Sequence, residues 1–401
     1  MLADALLLNL GYNATLVAIG ATLLGISAGG TGTFLFLRKR ALVSDAISHA
    51  TLPGVGLAFI VMVALGGDGR NLIGLLAGSA VSAWVGLLCL SWLTRRTRLA
   101  EDAAIGAVLS VFFGFGIVLL TVIQTMGSGR QAGLESFLLG ATAGMLRADA
   151  LVIALGGALA LALIVLLRRP LTLVAFDPDY ATARGLPVHR LDLALMGLVM
   201  AVTVVGLKIV GLILIVALLI IPPVAARFWT ERAGTVALLA GLFGGLSGYV
   251  GAAVSAAAPG LPTGPIIVLV SFAIFALSLL FAPGRGVLAA LLRHLRYRRR
   301  VHLRQGLLAL AQDQPIYERL TLRLLARAGL ARPDGVPTGA GRARAAKALR
   351  DEARWADLRA DPEHEAAAAL YDGLRDIETV LTRDQIAEID RRLGGPQEVT
   401  P

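Results

Sequence analysis

An acidic and a basic side chain, Asp45 and His49, stand four residues apart inside a long apolar stretch of this sequence. On an α-helix this spacing places both side chains on the same face, one turn apart. The apolar run, residues 43–65, is long enough to cross a bilayer, so both ionisable groups would lie at or below the membrane surface. Such groups are costly there unless they face a polar cavity or a partner, which makes the pair a candidate functional site.

The pair offers one carboxylate oxygen and one imidazole nitrogen, a combination that suits Mn²⁺, Fe²⁺ and Zn²⁺. Two ligands hold an ion weakly, as a transit site requires, because the ion must leave as well as enter. A structural interpretation stays open beside this one. In it, Asp45 and Ser44 would cap a helix near the membrane rim, and His49 would hydrogen-bond inside the helical bundle.

The composition indicates a membrane protein with a separate soluble part. Of the 401 residues, 56% are hydrophobic and 16% are charged. Residues 1–283 carry 16 Lys and Arg against 11 Asp and Glu, while residues 284–401 carry 21 against 16. We therefore expect a transmembrane domain at 1–283, a basic juxtamembrane linker at 284–304 and a C-terminal extension at 305–401. The single cysteine, Cys89, excludes an internal disulfide.

Apolar runs separated by arginine clusters predict an all-α polytopic membrane protein with nine transmembrane helices, or eight if the sixth and seventh runs are joined. Nine spans put every arginine cluster on one side, which the positive-inside rule makes cytoplasmic, with the N-terminus outside. Residues 127–148 hold an apolar piece too short to span and are predicted to form an external or re-entrant helix. The predicted spans are 12–37, 43–65, 72–93, 103–126, 149–167, 191–206, 209–226, 234–257 and 266–282.

Prolines and glycines mark the expected irregularities of these spans. Pro53 and Gly54 predict a kink or break in the second span. Pro222 and Pro223 should distort the cytoplasmic half of the seventh span. The Gly-x-x-x-Gly spacing of residues 244–248 favours close helix packing in the eighth.

Residues 168–190 form the longest polar loop of the membrane domain, and their arginines place the loop in the cytoplasm. Asp177 is typical of a helix N-cap, and Pro178 is typical of a first turn. Residues 180–184 would then form a short helix that Gly185 ends. A loop that contains its own short helix indicates more than a connector.

Three motifs, in order, resemble the membrane permease subunits of ABC-type manganese/zinc/iron importers, over nearly all of residues 10–283. The resemblance implies that Asp45 and His49 match the positions where the family's permeation path holds its metal. It also implies that the second motif is a coupling helix that docks on a cytoplasmic ATPase, through Asp177, Asp179, Tyr180, Ala181, Arg184, Gly185 and Leu186. The motifs are Arg-x-x-Ala-Leu…Asp-Ala-x-Ser-His-Ala-x-Leu-Pro-Gly in residues 37–59, Phe-Asp-Pro…Ala-x-Gly-Leu-Pro-Val in 176–188 and Val-Gly-Leu…Ala-Leu-Leu-Ile-Ile-Pro-Pro in 210–223.

Residues 296–397 weakly resemble metal-dependent regulators of the diphtheria-toxin-repressor type, which implies a mostly helical, winged-helix-like domain in the cytoplasm. The positions expected to carry that family's sensing ligands hold Glu352, Tyr371 and Glu378-Thr379, so the ligands are largely absent. We expect the extension to contact the ATPase or to dimerise, with a metal-regulatory role as the alternative. Beyond residue 304 the acidic residues nearly balance the basic ones, which argues against nucleic acid as a partner. For the basic cluster at 293–300, anionic lipid is a simpler partner than nucleic acid.

These features predict a transport subunit, not an enzyme. The sequence has no Gly-x-x-x-x-Gly-Lys-Ser/Thr loop, so ATP would be hydrolysed by a partner. We expect the permease of a binding-protein-dependent importer in a bacterial inner membrane, which carries Mn²⁺, Zn²⁺ or Fe²⁺ and has no permanently bound cofactor. Its partners would be ATPase subunits, an extracytoplasmic solute-binding protein, a second permease chain (identical or related) and the lipid bilayer. The alternatives are a permease for a metal chelate, of siderophore or cobalamin type, and an ion-coupled secondary carrier.

Overall fold

The computed structural model describes residues 12–67, 69, 71–126, 147–257, 261–361 and 364–394. The predicted re-entrant helix at 127–148 lies outside them except for its last two residues, which belong to a long helix. The chain divides into two compact units, Met1–Ala289 and Ala290–Pro401. The stretch predicted to be a linker, 284–304, lies mostly within one helix that crosses this division.

The described part of the first unit is built from helices. Eight of these are long and apolar enough to cross a membrane, which supports the all-α polytopic prediction. The helices are α1 Tyr12–Leu37, α2 Leu42–Ala64, α3 Leu72–Arg96, α4 Glu101–Thr125, α5 Arg147–Phe176, α6 Pro178–Ala183, α7 Val188–Arg227, α8 Ala233–Ala257 and α9 Thr263–Phe281.

The eight-span alternative fits these helices better than the nine-span prediction does. The predicted seventh span, 209–226, corresponds to the short apolar helix Leu214–Arg227, the second part of α7. The first part, Val188–Leu207, is long enough to span. Between the two parts Gly211 has φ 74° and ψ 172°, a backbone conformation that essentially only glycine adopts. The helix breaks there because the side-chain-free residue tolerates it.

Helix α2 continues through Pro53 and Gly54, so of the kink or break expected there the break is wrong and the kink stays a prediction. Helix α7 also continues through Pro222 and Pro223, where the expected distortion stays a prediction. Gly54 serves packing instead: a Cβ on it would lie 2.0 Å from the carbonyl oxygen of Gly78 in α3.

Helix α5 ends nine residues later than the sequence suggests. The predicted span ends at residue 167, but the helix runs through Arg168, Arg169 and Pro170 to Phe176. Leu171 and Val174 are buried in the main hydrophobic core, and that packing favours helix over loop. The two arginines stay exposed.

Helices α1 and α8 pack with their backbones almost in contact, as the Gly-x-x-x-Gly spacing predicts. A Cβ on Gly244 would lie 2.1 Å from the carbonyl oxygen of Gly25, and one on Gly248 would lie 2.3 Å from that of Ala21. No larger residue fits these positions unless the helices separate.

The second unit holds most of α10 Val287–Ala311, and α11 Arg319–Arg327, α12 Gly339–Ala360, α13 Glu365–Ala368, a 3₁₀ turn Ile377–Thr379 and α14 Arg383–Arg392. Thr382 caps α14 in a capping box with Gln385. The only β-pairing among the described residues is an isolated antiparallel bridge between Ala331 and Pro337. A winged-helix fold therefore stays a prediction.

Candidate metal site

Asp45 and His49 lie side by side on α2, as their spacing predicts. His49 Nε2 is 3.4 Å from Asp45 Oδ1, and the two side chains are 24% and 37% exposed. They are the only ionisable residues of this helix. Neither acts as a helix cap: the N-cap position is Ala41, and no side chain caps it. The structural interpretation of Asp45 as a cap is therefore wrong.

The His49 ring is held on one side and lacks a partner on the other. Its edge meets the ring of Phe113 from α4 at 83°, with the ring centroids 5.0 Å apart. Its Nδ1 is buried and has no hydrogen-bond partner among the described residues. A buried polar atom without a partner is rare in folded proteins and often marks a functional site. One ring nitrogen thus faces the carboxylate, and the other has no hydrogen-bond partner among the described residues.

Two donors do not complete a metal site. Within the described ranges, no group of three or more His, Cys, Asp or Glu residues could hold a metal ion. Zinc takes four ligands and manganese up to six, so the remaining ligands would have to be water or groups from another chain. The pair therefore suits an ion in passage better than a resident one.

A second charged cluster joins the ends of four helices near the start of α2; we call Arg38, Arg40, Glu101 and Asp192 the Arg38 network. Arg38 donates two hydrogen bonds to the carboxylate of Asp192, at 3.1 and 2.7 Å, and one to the carbonyl oxygen of Val174, at 2.8 Å. Arg40 lies 3.2 Å from Asp192 and 2.8 Å from Glu101. The network ties the α1–α2 turn to the end of α5 and the starts of α4 and α7.

The sequence analysis missed this network. Arg38 and Arg40 contributed to the predicted orientation, and Arg38 to the first family motif, but no partner was predicted for either and Asp192 was not singled out. An acidic residue at the start of an otherwise apolar run was the available signal, because such a charge needs a nearby cation.

The predicted docking loop, residues 176–188, contains the short helix α6, whose Ala181 is buried. The side chain of Asp177 accepts a hydrogen bond of 2.8 Å from the backbone N–H of Tyr180, and Pro178 occupies the first turn. Gly185 ends the turn with φ 79°. Ala181 is buried in the core and Leu186 packs against it, whereas Asp177, Asp179, Tyr180 and Arg184 are exposed.

In the second unit, the positions at which the regulator resemblance expects metal ligands are engaged in other contacts. The Tyr371 hydroxyl donates to Glu352 at 2.6 Å, and Arg304 pairs with the same carboxylate at 3.0 Å. Burial, with the hydrogen bond to Glu352, raises the pKa of Tyr371, which keeps its hydroxyl protonated. Glu378 pairs with Lys347 at 2.8 Å. These residues do not fit a metal site.

We therefore predict that removing metal leaves this unit folded. In hydrogen exchange of the full-length protein, peptides that cover Trp355 and Tyr371 should show the same protection with a chelator as with added Mn²⁺. The two rings pack directly against each other, with their centroids 5.1 Å apart. Protection that falls with the chelator and returns with Mn²⁺ would instead identify a metal-dependent unit.

Comparison with known proteins places the first unit in a family. The sequence model of the ABC 3 transport family matches residues 12–282. The zinc transport system membrane protein TroC of Treponema pallidum is 42% identical over 294 residues, 73% of this chain and 96% of TroC. The manganese transport system membrane protein MntC of Bacillus subtilis is 40% identical over 301 residues, 75% of this chain and 68% of MntC. The solved structure of PsaBC from Streptococcus pneumoniae, in complex with a Fab, is similar with a TM-score of 0.61 and 31% identity, over 71% of this chain and 98% of that chain.

Proposed function

Because this chain belongs to the ABC 3 transport family and is a membrane permease subunit of an ABC-type metal importer, we propose that the transported ion passes between Asp45 and His49. The observation that carries the proposal is the pair itself: His49 Nε2 lies 3.4 Å from Asp45 Oδ1, with both side chains partly exposed, on a helix with no other ionisable residue. An isolated pair of ionisable residues in a membrane-spanning helix typically marks the pathway of a transported ion.

The cargo is a free divalent ion, Mn²⁺, Zn²⁺ or Fe²⁺. Oxygen and nitrogen donors without sulfur suit these ions, and relatives at 40% and 42% identity are named for manganese and zinc. The Asp45–His49 pair argues against a permease for a metal chelate, because a chelated ion does not need metal ligands along its path. An ion-coupled secondary carrier is disfavoured because it would need ionisable groups deep in several spans.

A second permease chain completes the path. One chain supplies two donors, whereas two chains that face each other would supply two carboxylates and two imidazoles, enough to surround an ion. The similarity to PsaBC, a complex named for two components, supports a paired permease. An extracytoplasmic solute-binding protein would deliver the ion, with the N-terminus of the permease outside and the second unit in the cytoplasm of a bacterial cell.

A partner ATPase provides the energy and docks on residues 176–188. The support is the shape of this segment: Ala181 anchors it in the core, while Tyr180, 50% exposed, and Arg184 face outward. The Arg184 guanidinium lies over the Tyr180 ring, 5.9 Å from its centroid. A capped helix with an exposed aromatic residue offers the ATPase a defined contact, through which movement of the ATPase could displace the segment.

The Arg38 network links this docking segment to the metal pair. Arg38 holds the end of α5, just before the segment, and the start of α7, just after it. Arg38 also lies in the turn that leads directly into α2, which carries Asp45 and His49. Movement of the docking segment would thus reach α2 through one side chain.

Neutralising this link should uncouple the transporter. In Arg38→Gln or Asp192→Asn, we expect metal uptake to fall at least about tenfold, while the assembled complex still hydrolyses ATP. A tenfold fall corresponds to an increase of roughly 1.4 kcal/mol in the free-energy barrier to reorientation. Arg169→Gln, a change of the same charge at an exposed residue of α5, is the control. Unchanged uptake in both network variants would contradict the link, and loss of ATPase binding would show that the network only maintains the fold.

Reconstitution tests the function itself. In proteoliposomes that contain the permease, its ATPase and its binding protein, uptake of radioactive manganese or zinc should require ATP. Uptake by the permease alone, driven by an ion gradient, would favour the secondary carrier. Uptake only when the metal is offered as a siderophore or cobalamin complex would favour the chelate permease.

A further inference from the structure

Helix α10 contains an unusually exposed stretch. Every residue from 290 to 300 is exposed, although the helix continues regularly to Ala311. Four large side chains in this stretch, Leu291, Leu292, Leu295 and Tyr297, are each between 45% and 57% exposed. Most of the stability of a helix in a protein comes from packing of one of its faces, so a surface that covers this stretch would contribute to its stability.

The leucines of this stretch lie on one face in its first turns, and the basic residues lie beside that face and continue along it, with Arg299 four residues after Leu295. Leu288, Leu291, Leu292 and Leu295 follow the i, i+3, i+4, i+7 spacing of a single apolar face. The helix has no acidic residue. Its basic residues up to residue 300 are Arg293, His294, Arg296, Arg298, Arg299 and Arg300.

The stretch lies near the membrane by connection. The last candidate span, α9, ends at Phe281, and α10 begins at Val287. The connecting residues can reach at most about 20 Å even when fully extended. The start of α10 is therefore held close to the lipid headgroups at that end of α9.

We propose that residues 287–300 lie on the membrane surface and bind anionic lipid headgroups. The four leucines would enter the boundary between headgroups and acyl chains, and the arginines would contact phosphate groups. A nucleic acid would match the arginines but would leave the leucine face in water, and a protein partner would not require so high a density of positive charge. The proposal depends on α9 crossing the membrane and not on the transported ion.

Spin labels on the full-length protein test this directly. In a Cys89→Ser background, which removes the only native cysteine, a label is placed at Leu292→Cys on the leucine face. A control label is placed at Ala290→Cys, which is exposed and lies on the opposite side of the helix. Each protein is reconstituted in nanodiscs of phosphatidylcholine alone, or of two parts phosphatidylcholine to one part phosphatidylglycerol. The readouts are collision rates with oxygen and with a water-soluble nickel chelate.

We expect the nickel collision rate at residue 292 to fall about threefold in the anionic discs and its oxygen collision rate to rise, while residue 290 stays accessible to nickel. The double variant Arg296→Gln/Arg300→Gln should lose most of this response. Equal nickel access at 292 in both lipids would overturn the proposal. Shielding of residue 292 from both reagents in either lipid would overturn the proposal in favour of a protein partner. Shielding that appears only when a DNA duplex is added would overturn it in favour of a nucleic-acid partner.

Discussion

Cells that carry Asp45→Ala or His49→Ala in place of the wild-type permease are expected to lose metal uptake, although the protein reaches the membrane in normal amounts. Each change removes one of the two donors that the chain offers to the ion. Even the loss of a residue that only supports a metal ligand typically costs about 10- to 100-fold, so the fall should be at least of that order. Uptake of radioactive manganese and zinc, measured in parallel, identifies the cargo together with the site.

The matched control is Ser48→Ala. Ser48 is buried on the same helix, between the two proposed ligands, and its hydroxyl donates only to the carbonyl oxygen of Ser44, at 2.8 Å. This variant should transport normally. If uptake survives both Asp45→Ala and His49→Ala, the pair is a packing feature and the proposed path is wrong, even though the chain remains a permease.

Gly244→Ala is expected to destabilise the membrane unit strongly. A new Cβ would lie 2.1 Å from the carbonyl oxygen of Gly25, so α1 and α8 would have to separate along their closest contact. Overpacking of this kind costs about 1–3 kcal/mol, occasionally more. The thermal midpoint of the protein purified in detergent should fall, and less protein should reach the membrane.

Gly234→Ala, in the same helix, is the control because nothing lies within 4 Å of its Cβ position. Alanine there should be neutral or should stabilise slightly, since glycine weakens a helix by about 0.5–1 kcal/mol relative to alanine. Equal midpoints for the two variants would show that the close approach of α1 and α8 does not limit stability.

The parts of the structure that were predicted correctly depend on local sequence. The four-residue spacing from Asp45 to His49 places both on one helix face, whatever surrounds the helix. The short helix α6 follows from its own cap, Asp177, and from Gly185 at its end. The close contact at Gly244 follows from the absence of side chains.

The parts that were missed depend on long-range packing. Leu171 and Val174 extend α5 because a core from other helices buries them, and the arginines before them gave the opposite signal. The break at Gly211 lies a few residues after the predicted boundary between the sixth and seventh spans, 191–206 and 209–226. The pairing of Arg38 with Asp192 joins residues 154 positions apart, which no local pattern reveals.

Direct detection of the ion at His49 is the most decisive measurement. Pulsed EPR of Mn²⁺ bound to the purified permease should show a nitrogen hyperfine coupling from an imidazole. The account predicts that this coupling disappears in His49→Gln and persists in Ser48→Ala. A coupling of unchanged strength in His49→Gln, or bound Mn²⁺ with no nitrogen coupling in the wild type, would contradict the claim that the ion passes through this pair.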